Sequence, residues 1–172
     1  MAGVLGSCGT WNVDSVISFL IVATGQLCDK IFEALETTSK IRKYRIAVHK
    51  CECIYDILRS KPDLQIDFII FAFDGRISQR VNEVERGINL LDEFFVISGR
   101  ICLVNCYDLP NNMGLIGHTA NRLRDKYCLR LISANVYNCE GLKSLGDRIF
   151  NLSEALMGIH SGIPDLNLLS IL

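Results

Sequence analysis

The residues that follow the first strongly apolar segment are the first place to look for chemistry. Val16 to Val22 is a continuous apolar run, and the segment ATGQLCDK comes directly after it. A phosphate-binding loop of the pattern GxxxxGK[ST] would lie here, with glycines, a lysine and a hydroxyl that cradle phosphates and magnesium. These four positions are instead Ala23, Cys28, Asp29 and Lys30. Because Asp29 would repel a phosphate, we expect a degenerate loop that binds no nucleotide.

Two partial motifs match the guanine-reading end of a GTPase better. Asn105-Cys106-Tyr107-Asp108 follows the fourth apolar segment, where GTPases carry NKxD, and Ser133-Ala134-Asn135 stands where they carry SAK. Each also has an ordinary explanation, because Asn and Asp are common turn formers. We interpret four positions as vestiges of a guanine site: Asn105, Asp108, Ser133 and Ala134. Their retention leaves open an alternative function as a divergent guanine-nucleotide-binding switch.

The remaining parts of a hydrolytic site are missing. Residues 24–66 would have to supply a switch threonine, an extra strand and a DxxG turn, and no DxxG motif follows any apolar segment. Asp74 could instead be the phosphoacceptor of a receiver domain. That chemistry also needs an acidic pair after the first strand and a lysine after the fifth, and these positions hold Ala23, Thr24 and Asn135. We therefore predict no enzymatic activity, no catalytic residue, no metal and no cofactor.

Strand-like and helix-like segments alternate along the chain. The predicted strands are Val16–Val22, Tyr44–His49, Asp67–Phe73, Arg100–Asn105 and Leu129–Val136. Helical spacing of apolar residues predicts helices at 27–38, 54–58, 78–92, 118–127 and 142–156. This order predicts a single α/β domain over residues 1–172, with a doubly wound, mostly parallel sheet of five or six strands, small-GTPase-like but without a functional P-loop. An N-terminal lead (1–14) and an apolar C-terminal tail (159–172) flank it.

Composition narrows the class of protein. The 172 residues are 49% hydrophobic with a formal net charge of −1, which suits one core and supplies no basic surface for DNA. We therefore expect no direct DNA binding by this chain alone. No apolar run approaches the roughly 20 residues that span a bilayer, and Met1–Asp14 lacks the basic region of a secretory signal, which predicts an intracellular protein without membrane contact. The eight cysteines form no CxxC pair, which favours reduced, mostly buried thiols.

The sequence resembles the centromere protein M family, whose members are GTPase-like subunits of the inner kinetochore that have lost their nucleotide site. The likeness rests on DFIIFAF at Asp67–Phe73, DEFF at Asp92–Phe95, GRICL at Gly99–Leu103 and the tail His160–Leu172 with its LNLLS core. It implies a non-enzymatic subunit of the constitutive centromere-associated network, located in the nucleus at the centromere and supporting chromosome segregation. It further implies binding to a centromere protein I-like helical-repeat partner, with centromere proteins H and K in the same complex. An adaptor outside the kinetochore would share this chemistry and differ in its partner.

A partner surface is predicted at the end of the domain opposite the old nucleotide pocket. Helices that follow parallel strands run back to the amino-terminal strand edge, so a loop at 94–97 and the tail from Gly158 should emerge there together. Burying a leucine-sized side chain is worth about 1.5–3 kcal/mol, so the tail should pack against something. It could fold back on its own domain or meet a partner. The candidate interface positions are Phe95, Val96, Ile97, Leu166, Leu168 and Leu169.

Overall fold

Five parallel strands organise the computed structural model, which describes residues 16–60, 64–107 and 114–159. The strands are β1 (Val16–Val22), β2 (Arg45–Cys51), β3 (Phe68–Phe73), β4 (Ile101–Asn105) and β5 (Arg130–Ser133). Their order in the sheet is β2-β1-β3-β4-β5, and every neighbouring pair is parallel. The predicted α/β class with a doubly wound sheet is therefore confirmed, with five strands in the described part of the chain.

Helices cover both faces of this sheet. They are α1 (Gly25–Arg42), α2 (Ile54–Ser60), α3 (Ser78–Ile88), α4 (Glu93–Ile97), α5 (Gly114–Tyr127) and α6 (Cys139–Met157). Buried side chains of α1 and α6 form one core cluster with one face of the sheet, and those of α2, α3, α4 and α5 form a second cluster on the other face. Two cores on one sheet are what right-handed crossovers produce.

The apolar run of β1 follows from its central position. Phe19 and Ile21 belong to the first core cluster, whereas Leu20 and Val22 belong to the second. Successive side chains of a strand point to opposite faces, so a central strand buried on both sides has no position left for a polar residue to face water. Ser18, the one polar residue within β1, is also buried, and its backbone N–H donates to Asp67 Oδ2 at 2.8 Å.

The segment between β3 and β4 differs from the prediction. The predicted helix 78–92 ends at Ile88, because the N–H groups of Leu90 and Leu91 bond to carbonyls only three residues back and close a tight turn. Residues 94–97, predicted as a loop, belong to the short helix α4. Its N-cap is Asp92, whose Oδ1 accepts a hydrogen bond from the Phe94 N–H at 2.8 Å. This side-chain cap restarts the helix after the turn.

Smaller differences concern the ends of elements. β5 ends at Ser133 rather than Val136, although the Ala134 N–H still bonds to the Asn105 carbonyl at 3.0 Å. α1 continues to Arg42, beyond the predicted end near Thr38, and α5 begins at Gly114. Arg42 joins α1 to α6 through hydrogen bonds to Glu154 at 2.9 Å and Asn151 at 2.8 Å. No helix within the described residues is long and apolar enough to cross a membrane.

Candidate functional site

A cleft of about 650 Å³ opens where β1, β2 and β3 end, and residues that follow each of these strands line it. In doubly wound sheets, ligands bind at this edge, at the point where the strand order reverses. Here the reversal lies between β1 and β3, because β2 is beside β1 on one side and β3 on the other. Thr24, Glu52 and Asp74 stand at the mouth of the cleft. This is the place to test for nucleotide chemistry.

The side chains at the positions compared with a phosphate-binding loop make contacts within the domain. Cys28 is buried, and its Sγ lies 3.2 Å from the carbonyl oxygen of Ala23, which is also buried. Asp29 forms an ion pair with Lys50 at 2.9 Å. Lys30 forms an ion pair with Glu33, one turn along the same helix, at 2.9 Å. The lysine therefore belongs to the surface of α1 and does not replace the missing phosphate-binding lysine.

The amino terminus of α1 is capped by a side chain from another element. Glu52 Oε1 accepts a hydrogen bond from the backbone N–H of Gly25 at 3.0 Å. The N-cap residue Thr24 makes no side-chain cap of its own. Free N–H groups at a helix amino terminus are where phosphates bind, assisted by the helix dipole. A resident carboxylate now occupies this position and adds a negative charge that repels phosphate.

Asp74 is also engaged. Arg76 donates from Nε to Asp74 Oδ1 at 2.9 Å and from Nη2 to Oδ2 at 2.6 Å, and this pairing lowers the pKa of the Asp74 carboxyl. The guanidinium of Arg76 in turn lies 3.6 Å from the centroid of the Tyr107 ring. A carboxylate held in this way is not the free acceptor that phosphoryl transfer requires. Among the described residues, no group of three or more His, Cys, Asp and Glu side chains could hold a metal ion.

Of the positions predicted to be vestiges of a guanine site, Asn105 bonds to the protein backbone. Asn105 is 7% exposed, and its Oδ1 accepts a hydrogen bond from the Gly75 N–H at 3.0 Å. It therefore fastens the turn after β3. Ser133 lies beside Asn105 in the sheet register and is exposed, while Ala134 is buried. The structure thus brings these three positions to one edge, whereas Asp108 lies outside the described residues.

At the amino-terminal edge of the sheet, the candidate interface positions differ in their exposure. Phe95 is fully buried in the second core cluster, because α4 directs it toward the sheet, so its prediction as a contact residue is wrong. Val96 is partly buried against the same cluster, and Ile97 is 72% exposed. Leu166, Leu168 and Leu169 lie outside the described residues. The start of the tail at Ile159 packs against the first cluster, on the other side of the sheet from α4.

Sequence reasoning missed the two residues that decide the chemistry of the cleft. Glu52 follows β2 directly, and β2 lies next to β1, so its position after a predicted strand was the available signal. Arg76 follows Asp74 by two residues, and an arginine so close to a carboxylate after a strand could have suggested an ion pair.

Comparison with known proteins adds no relative, since no protein-family model and no curated protein matches the chain.

Proposed function

We propose that this chain is a non-enzymatic interaction subunit built on a degenerate small-GTPase-like domain. The observation that carries the proposal is the hydrogen bond from the Gly25 N–H to Glu52 Oε1, because it places a carboxylate where a nucleotide phosphate would have to bind. The position of the loop lysine holds Asp29, which is paired with Lys50, so this side chain offers no positive charge to a phosphate. A domain that keeps the scaffold and blocks the phosphate site is suited to binding other proteins.

The small-GTPase-like ancestry is supported by ordinal position. Asn105 and Ser133 end neighbouring strands, in the places that the NKxD and SAK motifs occupy in GTPases. The described part of residues 24–66 contains α1, β2 and α2 and lacks an extra strand for a switch region. These features fit a GTPase scaffold from which the switch machinery has been lost.

The resemblance to the centromere protein M family supplies the proposed setting. The chain would act in the nucleus at the centromere, as part of the constitutive centromere-associated network. There it would bind and stabilise a centromere protein I-like helical-repeat protein, together with centromere proteins H and K, and support kinetochore assembly. The exposed side chains of α4, Phe94 at 42% and Ile97 at 72%, offer the docking surface, together with the tail leucines.

Reconstitution tests this proposal. The full chain is mixed with purified centromere proteins I, H and K, and the assembly is followed by size-exclusion chromatography. Ile97→Glu should abolish co-elution while leaving the melting temperature unchanged, because Ile97 is exposed and a charge there disrupts only a contact. Ile41→Glu is the matched control, since Ile41 is a 62% exposed apolar side chain on α1. Failure of the unmodified chain to co-elute, or unchanged co-elution of Ile97→Glu, would count against the proposal.

A guanine-nucleotide-binding switch is the second candidate. It is favoured by one observation, namely that Asn105 and Ser133 lie side by side at the edge where the cleft opens. The buried Asn105 amide is already bonded to Gly75, however, and would have to serve the turn and a nucleotide together. Direct titration with nucleotide separates the two candidates.

A further inference from the structure

The cleft at the carboxyl edge continues as a groove between α2 and α3, over the sheet. Ile54 of α2, Phe71 of β3 and Val84 of α3 line it with buried apolar side chains. Gly87 also lines it, and a Cβ at this position would lie only 2.8 Å from the Phe71 ring. The absent side chain therefore lets α3 lie close to Phe71 of the sheet.

Large apolar side chains are exposed along this groove. Ile77, which precedes α3, and Leu90, which follows it, are each 48% exposed and both line the groove. They flank the two ends of α3, whose 11 residues span about 16 Å. Tyr137, 54% exposed, lines the end near β5. Exposed large apolar residues gathered around one groove, with charged side chains such as Arg80 and Glu83 also lining it, are typical of a docking site for another protein.

The charges around the groove are uneven. Asp74 and Glu83 are neutralised by ion pairs with Arg76 and Arg80 respectively. Glu52 and Asp56, on the α2 side, form no ion pair within the described residues. Arg86 of α3 also lines the groove without an ion pair among the described residues, so the α2 side carries two unpaired negative charges and the α3 side one unpaired positive charge.

We infer that this groove docks a basic amphipathic helix of a partner protein. Its leucine-like side chains would cover Ile77 and Leu90, and a flanking lysine or arginine would face Glu52 and Asp56. A partner helix of about 14 residues is long enough to run the length of α3, about 16 Å, and to reach the residues at both of its ends. The chain's own tail is a poor occupant, since residues 160–172 contain Asp165 and no lysine or arginine. The groove runs from the carboxyl edge of the sheet to Leu90, shortly before α4, and the inference stands independently of the kinetochore assignment.

The test uses two fluorescent model peptides and the full chain. Both are amphipathic helices of about 14 residues with the same leucine stripe, one flanked by lysines and the other by glutamates. Fluorescence anisotropy should show saturable binding of the lysine peptide and at least about tenfold weaker binding of the glutamate peptide. Glu52→Gln combined with Asp56→Asn should weaken binding of the lysine peptide by about threefold to tenfold, because it removes both negative charges that face the lysines. The double variant should stay folded, since the glutamine oxygen can still accept the hydrogen bond that caps α1.

Substitutions of the exposed apolar residues test the apolar contacts of the groove separately from its charges. Ile77→Ser and Leu90→Ser should each weaken the lysine peptide, whereas Ile41→Ser should not, since Ile41 is 62% exposed on α1 across the sheet. Melting temperatures establish that each variant is folded. Equal binding of the two peptides, no binding of either, or unchanged binding by the groove variants would overturn the inference. Binding that appears only after removal of residues 160–172 would assign the groove to the tail and would overturn it as well.

Discussion

Glu52 and Gly25, which lie on different elements, meet through a 3.0 Å hydrogen bond that caps α1. This hydrogen bond from Gly25 to Glu52 has two effects. It stabilises the first turn of α1, which lacks a cap from Thr24, and it closes the phosphate position of the cleft. The same contact that stabilises α1 therefore places a carboxylate at the position that a phosphate would need.

Removing this cap should destabilise the domain. Glu52→Ala is expected to lower the free energy of unfolding by about 0.5–2 kcal/mol, because the Gly25 N–H loses its acceptor. Glu52→Gln should cost less, since its amide oxygen can accept the same bond. Urea denaturation measures both. The control is Glu33→Gln, which breaks only an exposed ion pair and should stay within about 1 kcal/mol of the unmodified chain; equal stability of all the variants would contradict the capping role.

The ion pair between Asp74 and Arg76 should stabilise the domain at neutral pH and lose this effect at acid pH. Hydrogen bonding to Arg76 lowers the pKa of Asp74 in the folded protein. The stabilisation should be fully present above the ordinary aspartate pKa of about 4 and should be lost as pH falls through the lowered folded value. Thermal melts of the unmodified chain and Asp74→Asn across this range measure it. The difference between them should shrink toward acid pH, and a constant difference would contradict the assignment.

Close packing of α1 on α6 depends on Gly146. A Cβ there would lie 2.3 Å from Thr38 Oγ1 and 2.7 Å from the Ala34 carbonyl oxygen. Gly146→Ala should therefore destabilise the domain by about 1–3 kcal/mol, despite the better helix propensity of alanine. Ser144→Ala, an exposed position on the same helix, should cause no loss. Chemical denaturation compares the two, and a stabilised Gly146→Ala variant would show that the helices can separate freely.

Thiol reactivity should divide the described cysteines into two groups. Burial raises the pKa of Cys51 and Cys106 to about 12 and also raises that of Cys28 and Cys102. These four should resist iodoacetamide in the folded protein, since the thiolate is the reactive form. The exposed thiols of Cys53, Cys128 and Cys139 should react. Mass spectrometry of alkylated peptides reads out each site, and rapid alkylation of Cys102 would contradict its burial.

Periodicity predicted the architecture because the strands are central and the helices amphipathic. The run from Val16 to Val22 could be assigned to its full length, since both faces of β1 are buried. α4 was not predicted because its five residues are too few to show a helical period. The burial of Phe95 follows from the direction of that short helix, which sequence spacing alone does not fix.

For the candidate site, the sequence predicted mainly which nucleotide-binding residues are absent. Replacement of the phosphate-loop residues could be read from positions 23–30, because the motif has fixed spacing. The role of Glu52 depends on two strands lying side by side, and the roles of Asn105 and Arg76 depend on the turn after β3. Such contacts between elements that are distant in sequence become visible only once the fold is known.

We propose that this domain has lost nucleotide binding and serves as an interaction subunit. The most direct measurement is a titration of the purified full chain with fluorescent GTP and GDP in the presence of magnesium, preceded by extraction and chromatography of any co-purifying nucleotide. We predict no bound nucleotide and no saturable binding up to high micromolar concentrations. Tight, guanine-specific binding that is lost in Asn105→Ala or Asp108→Ala would contradict the account and support the switch.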